Sequence, residues 1–162
     1  WGTLKLWDLE AWMYMEGLHS NGFNYIDLKG HTFPVTCVSI DWETHVCLTG
    51  SADSTLCLWR PMEQTVSGFC ELPVVLRRHT LPVTCLAVDW SSACAVSGGG
   101  DCLVVWDLDE GKPLRALRGP RERSEVLSLA MDRTISRKDG NGQGTESDSM
   151  PTFVKAAMII AS

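Results

Sequence analysis

His31, Thr49 and Asp53 carry the side-chain types of a hydrolase triad: an imidazole with a hydroxyl and a carboxylate to work with. His79, Ser97 and Asp101 repeat the set, each 48 residues beyond its counterpart. A catalytic centre is not ordinarily duplicated at a fixed period, so the repetition speaks for structure over catalysis. Two other constellations fail on context. Residues 97–101 read SGGGD, but no helix pattern follows and no Lys-Ser/Thr pair closes a phosphate loop. Those glycines suit a tight turn that needs positive φ. His31, Cys37, Cys47 and Cys57 include zinc-ligand types, but they fall on different expected strands with nothing to align them. No metal and no cofactor is expected. The seven cysteines are odd in number and show no CxxC spacing. Cys37 and Cys85 sit at matching positions in apolar strands, as buried free thiols do.

The elements that position these groups are legible from a longer repeat. Residues 31–42 read HTFPVTCVSIDW and residues 79–90 read HTLPVTCLAVDW, identical at eight of twelve positions. Each runs into a turn bearing Gly and Asp, then a strand ending in Trp, at Trp59 and Trp106. The first copy predicts strands over 35–40, 46–50, 55–59 and 74–76, the second over 83–88, 94–98, 102–106 and 114–117. Partial units flank them. Residues 3–7 and 25–28 read as third and fourth strands, 126–132 and 154–162 as first and second. A period in the forties with four short strands per unit marks a β-propeller. The expected fold is all-β, a propeller fragment of four-stranded antiparallel blades, two full blades flanked by two half blades. Its units are residues 1–29 with an inserted loop, 30–77, 78–118, and 119–162 with a flexible loop at 133–152.

The chain resembles the WD-repeat β-propeller family over essentially its whole length. The pairs Gly30-His31 and Arg78-His79, and the strand-ending pairs Trp7-Asp8, Trp59-Arg60 and Trp106-Asp107, carry the resemblance. Their spacing makes it specific: 28 residues from His31 to Trp59 and 27 from His79 to Trp106. The resemblance implies a buried hydrogen-bonded chain within each blade. By position it would comprise His31, Thr49, Asp53 and Trp59, then His79, Ser97, Asp101 and Trp106. A buried imidazole and indole need partners, and such a network ties strands to loops at about 1 kcal/mol net per bond. Departures are Arg78 for Gly, Arg60 for Asp, and a turn one residue shorter before Trp106. Pro120 stands where a third His would be, and Trp1 where a turn Asp would be.

Propeller topology sorts the loops onto two faces. One face carries the short loops with Phe33 and Leu81, apolar residues that either tuck into neighbouring blades or await a partner. The other carries long insertions with Trp12, Tyr14 and Phe23, and with Phe69. Aromatic side chains are common anchors of protein interfaces, so these are candidate partner-binding residues. Arg121 and Arg123, in a cluster with Arg115 and Arg118, are candidates for an acidic or phosphorylated peptide.

A formal net charge of −6 argues against broad nucleic-acid or anionic-membrane binding, and no apolar run approaches a membrane span. The chain begins with Trp1 and is read as part of a longer protein, with its remaining blades from missing sequence or another chain. The expected function is a non-enzymatic scaffold for protein–protein interaction, bound by a protein or peptide. The alternative is a non-catalytic substrate-targeting domain of a larger enzyme, such as a ubiquitin-ligase or kinase subunit. Free cysteines suit a reducing compartment, the cytoplasm or the nucleus.

Overall fold

A computed structural model describes residues 3–7, 25–60, 72–100, 102–118, 125–132 and 155–161. Short runs rich in Val, Leu and Cys, separated by Gly, Asp, Ser and Pro, form strands throughout. A first two-stranded sheet pairs β1 (Thr3–Trp7) with β2 (Tyr25–Lys29). The first full blade is β3 (Val35–Ile40), β4 (Cys47–Ser51), β5 (Thr55–Trp59) and β6 (Val74–Arg77), in that order. The second is β7 (Cys85–Asp89), β8 (Cys94–Gly99), β9 (Cys102–Asp107) and β10 (Lys112–Arg118), again in chain order. A last sheet pairs β11 (Glu125–Asp132) with β12 (Lys155–Ala161). Every pairing is antiparallel. The fold is all-β, with blades of a propeller.

The core lies between blades. Alternation along each strand sends one set of side chains to each side of a sheet. Leu48, Leu56, Leu58 and Leu76 of the first blade meet Ala95, Val104 and Trp106 of the second in one buried cluster. On the first blade's other side, Cys47, Cys57 and Trp59 bury against Leu28, with Leu4 packed beside them. β4 and β5 are therefore buried at every position. This explains their unbroken apolar sequence, since a strand covered on both faces has no solvent side.

Polar bonds also stitch blade to blade, at the same place in each repeat. The Thr36 hydroxyl donates to the Val83 carbonyl at 2.6 Å, and Val83 N–H donates to the Ser51 carbonyl at 3.0 Å. One repeat later Thr84 donates to the Val126 carbonyl, and Val126 N–H to that of Gly100. The repeated Pro-Val-Thr-Cys is thus a blade connector. β7 begins at Cys85 instead of at the expected Val83, whose N–H bonds to the first blade.

Gly50 and Gly98 sit opposite that connector. A Cβ on Gly50 would lie 2.7 Å from Val83 Cγ1, and one on Gly98 would lie 2.7 Å from Val126 Cγ1. Only a residue without a side chain lets adjacent blades approach so closely. The expected positive-φ turn is present at Gly100, with φ of 58°.

Candidate functional site

The polar site of the first blade is assembled from four elements. His31 stands in the loop before β3, Thr49 in β4, Asp53 in the turn after it, and Trp59 at the end of β5. His31 Nδ1 lies 3.0 Å from Asp53 Oδ2, and His31 Nε2 lies 2.8 Å from Thr49 Oγ1. Trp59 Nε1–H donates to Thr49 Oγ1 at 2.8 Å. The proton inventory fixes the direction. An ionised Asp53 only accepts, so Nδ1 carries the imidazole proton. Nε2 then accepts from Thr49, whose oxygen accepts from the indole. Asp53 also receives Thr32 N–H and Thr55 N–H, each at 2.9 Å, and the Thr55 hydroxyl. Burial pushes its carboxyl up, but these bonds and that of His31 outweigh it and hold the pKa at about 2.

This is the atom order of a hydroxyl–imidazole–carboxylate triad, and it has no access. Thr49 is 0% exposed, inside a strand covered on both faces, with an indole N–H on its oxygen. A nucleophile needs room for an electrophile about 3 Å away. Here that volume is filled by Trp59 and the blade itself. The constellation can hold a turn to a strand; it cannot take a substrate.

The second blade builds three of the four parts. His79 Nε2 lies 2.7 Å from Ser97 Oγ, and Trp106 Nε1–H donates to the same oxygen at 2.8 Å. Asp101 lies outside the described residues. Among the described residues His79 Nδ1 is buried without a hydrogen-bond partner. Burial alone lowers its pKa to about 4, keeping the ring neutral.

The departures noted in the sequence have local readings. Gly30 is forced, since a Cβ there would lie 2.8 Å from the Trp59 indole; Arg78, at the matching position, is exposed. Arg60 reaches across to donate to the Leu108 carbonyl at 3.4 Å, a further link between blades. Asp107, its counterpart, instead receives Asp109 N–H and Glu110 N–H within its own turn.

Cys57 is pushed up to about 12 by burial, with the Asp53 charge adding to it. Burial also raises Cys37, Cys85 and Cys94, so these thiols stay protonated and unreactive. Cys37, Cys57, Cys85 and Cys94 form no disulfide. Among the described residues no group of three or more His, Cys, Asp or Glu could hold a metal ion. No helix among them is long and apolar enough to cross a membrane.

Of the candidate partner-binding residues, Phe33 is 58% and Leu81 51% exposed. Both lie on the loop that enters a blade. Leu81 folds back over the Gly100 turn of its own blade, where a Cβ would collide with its Cδ1. Phe33 is held by its backbone, whose carbonyl accepts from Ser51 Oγ. Trp12, Tyr14, Phe23, Phe69, Arg121 and Arg123 lie outside the described residues, as does the loop at 133–152. Sequence reasoning missed one exposed aromatic. Trp42 is 72% exposed, while Trp90, which repeats it, packs against the core between blades. The identical Asp-Trp dipeptide carries no signal of that difference, which arises from what lies alongside each blade.

No curated protein matches this sequence. Residues 23–60 and 70–107 match the family described as WD domain, G-beta repeat. Each match ends at the close of the third strand of a full blade, on Arg60 and Asp107. Such repeats generally serve as scaffolds for protein–protein interaction. With these two stretches folded as adjacent four-stranded blades and the His–Thr/Ser–Trp bonds inside each, the chain carries two WD repeats of a partial β-propeller.

Proposed function

We propose that the chain is a non-enzymatic platform for a protein or peptide partner within a larger propeller or multi-protein complex. One observation carries this reading. The groups able to do chemistry are sealed, with Thr49 and Ser97 both 0% exposed, while Phe33 and Leu81 stand half-exposed or more on adjacent loops of one face. Rigid loops bearing apolar side chains suit binding: the blades hold the side chains in place, so little ordering entropy is lost on association. Free, protonated thiols support a reducing compartment, the cytoplasm or alternatively the nucleus.

Photo-crosslinking tests it. A benzophenone amino acid placed at Phe33 or at Leu81 should trap the same protein species in cells, and one at Thr44, on the opposite face, should not. Phe33→Ser with Leu81→Ser should preserve the far-ultraviolet spectrum and abolish capture at a third position on the first face, Thr80. Identical species from both faces, or none from either, would sink the reading.

A further inference from the structure

The described charges are sorted between the two ends of the blades. Val83 N–H donates to the Ser51 carbonyl and Val126 N–H to that of Gly100, so the loops entering each blade and the turns after each second strand share one end. Around that end stand Lys29, Arg77, Arg78 and Arg118, all exposed. Two carboxylates accompany them among the described residues. Asp53 is engaged by His31, Thr32 and Thr55, and Glu125 is exposed. The other end carries Asp41, Glu43, Asp89, Asp107, Asp109 and Glu110 against Arg60 and Lys112. Lys112 is already paired with Glu110 at 3.0 Å. In a chain of formal net charge −6, the cationic end is a local exception.

The cations occupy a repeated position. Lys29 pairs with Thr3, Arg77 with Thr55 and Arg118 with Cys102, so each closes a fourth strand opposite the first residue of a third. From Lys29 the chain runs inward over the end of the blade through His31 to Phe33, and from Arg77 and Arg78 through His79 to Leu81. In the loops entering both complete blades, a cation at the rim is thus followed by an exposed apolar side chain nearer the inner strand. Arg77 and Arg78 stand at the passage from the first complete blade to the second, with a blade on either side. Their exposure therefore does not depend on what flanks the chain. Among the described residues, none of the four cations forms an ion pair.

Resting on the platform reading of this face, we propose that its partner is a segment of another protein rich in Asp and Glu with apolar residues between them, lying across the entry loops of adjacent blades. Its carboxylates meet Lys29, Arg77, Arg78 and Arg118 at the rim, and its apolar side chains meet Phe33 and Leu81. An exposed ion pair contributes little by itself, so several along one peptide, with apolar anchors, are needed for a useful affinity. The cations are spread over three sheets. That spread favours single charges distributed along a peptide over a lone phosphate, which takes several donors converging on one point. The apolar pair and the acidic opposite end disfavour a nucleic acid, whose long polyanion needs a continuous basic surface.

Selection from a phage-displayed library of random peptides on the purified chain tests this. Selected sequences should be enriched in Asp and Glu interspersed with apolar residues, and synthetic copies should bind more weakly as salt is raised. Replacing their Glu residues by Gln should weaken binding at least about tenfold. Arg77→Glu with Arg78→Glu should do the same, with the circular dichroism spectrum unchanged. Lys29→Glu, on a different sheet, is a second variant should that pair misfold. Sequences without acidic enrichment overturn the proposal, as does a library that yields no binder. Acidic peptides that bind the charge-reversed variants as well as the unaltered chain overturn it too. A phosphoserine in place of one Glu that tightens binding more than about tenfold would reassign the face to phosphopeptides. Displacement of the peptide by polyuridylic acid would reassign it to polyanions at large. Either result overturns the commitment to carboxylates. The platform itself is judged separately, by crosslinking at Phe33 and Leu81: capture there without acidic selectivity leaves it standing and sinks only the present proposal.

Discussion

At the scale of residues, two nearly identical sites differ in one proton's surroundings. His31 and His79 both meet a hydroxyl and, through it, an indole. His31 has Asp53 on its other nitrogen, whereas His79 Nδ1 has no partner among the described residues. The consequence appears in acid. Burial lowers the folded pKa of His79 to about 4 from an ordinary 6.5. Its neutral form is the one that fits, so its contribution to stability is complete above pH 6.5 and is lost as pH falls through about 4. In that window the unfolded chain takes up the extra proton, and the slope approaches about 1.4 kcal/mol per pH unit at most. Asp53 acts lower, between its ordinary 3.8 and about 2. Urea titrations at half-unit steps should show stability falling between pH 6.5 and 4, and His79→Gln should flatten that fall while leaving the change below pH 4 in place. An unaltered slope in the variant would assign the acid sensitivity to another group.

At the scale of elements, what repeats in the sequence was legible and what depends on neighbours was not. Alternating short apolar runs and a doubled His-to-Trp spacing predict all the strands described, with ends shifted by a residue or two. The shift at β7 shows why ends are hard to read. Val35 opens β3, whereas Val83 at the same repeat position precedes β7, so identical residues give different ends. The bonds of His31, Thr49 and Trp59 were legible through the resemblance to WD repeats, carried over by position. The fates of Trp42 and Trp90 were not, because a local sequence does not encode what packs beside it. Blade contact itself rests on Gly50 and Gly98, which read as turn-adjacent glycines and prove to be spacing residues. Gly98→Ala would set a methyl 2.7 Å from Val126 Cγ1 and 2.8 Å from Cys85 Sγ, with both neighbours held in strands. Overpacking of this kind costs roughly 1–3 kcal/mol. Gly50→Ala should cost a similar amount against Val83 and Cys37. Denaturant midpoints would check both, and a neutral Gly98→Ala would mean that the blades separate easily.

At the scale of the whole molecule, burial is graded along the array and stability should follow it. A repeat protein gains its stability from interfaces between neighbours as much as from each unit. The first blade has a neighbour over both faces of β4 and β5, where every residue is buried. In the second blade β8 is equally buried, because β11 reaches the inner strands. β10 is the opposite case. It is an edge strand with every residue exposed, and its pairing with β9 is interrupted by a register shift between Pro113 and Arg115. Local opening there exposes almost no new apolar surface, so little free energy opposes it, whereas opening β5 disrupts two interfaces at once. Hydrogen exchange followed by mass spectrometry should therefore show peptides of β4 and β5 exchanging last, β8 close behind, and β10 at least about tenfold faster, a gap that needs only ~1.4 kcal/mol between their opening free energies. Equal protection of β10 and β5 would show that the blades open as one cooperative unit, with no gradient between covered and edge strands.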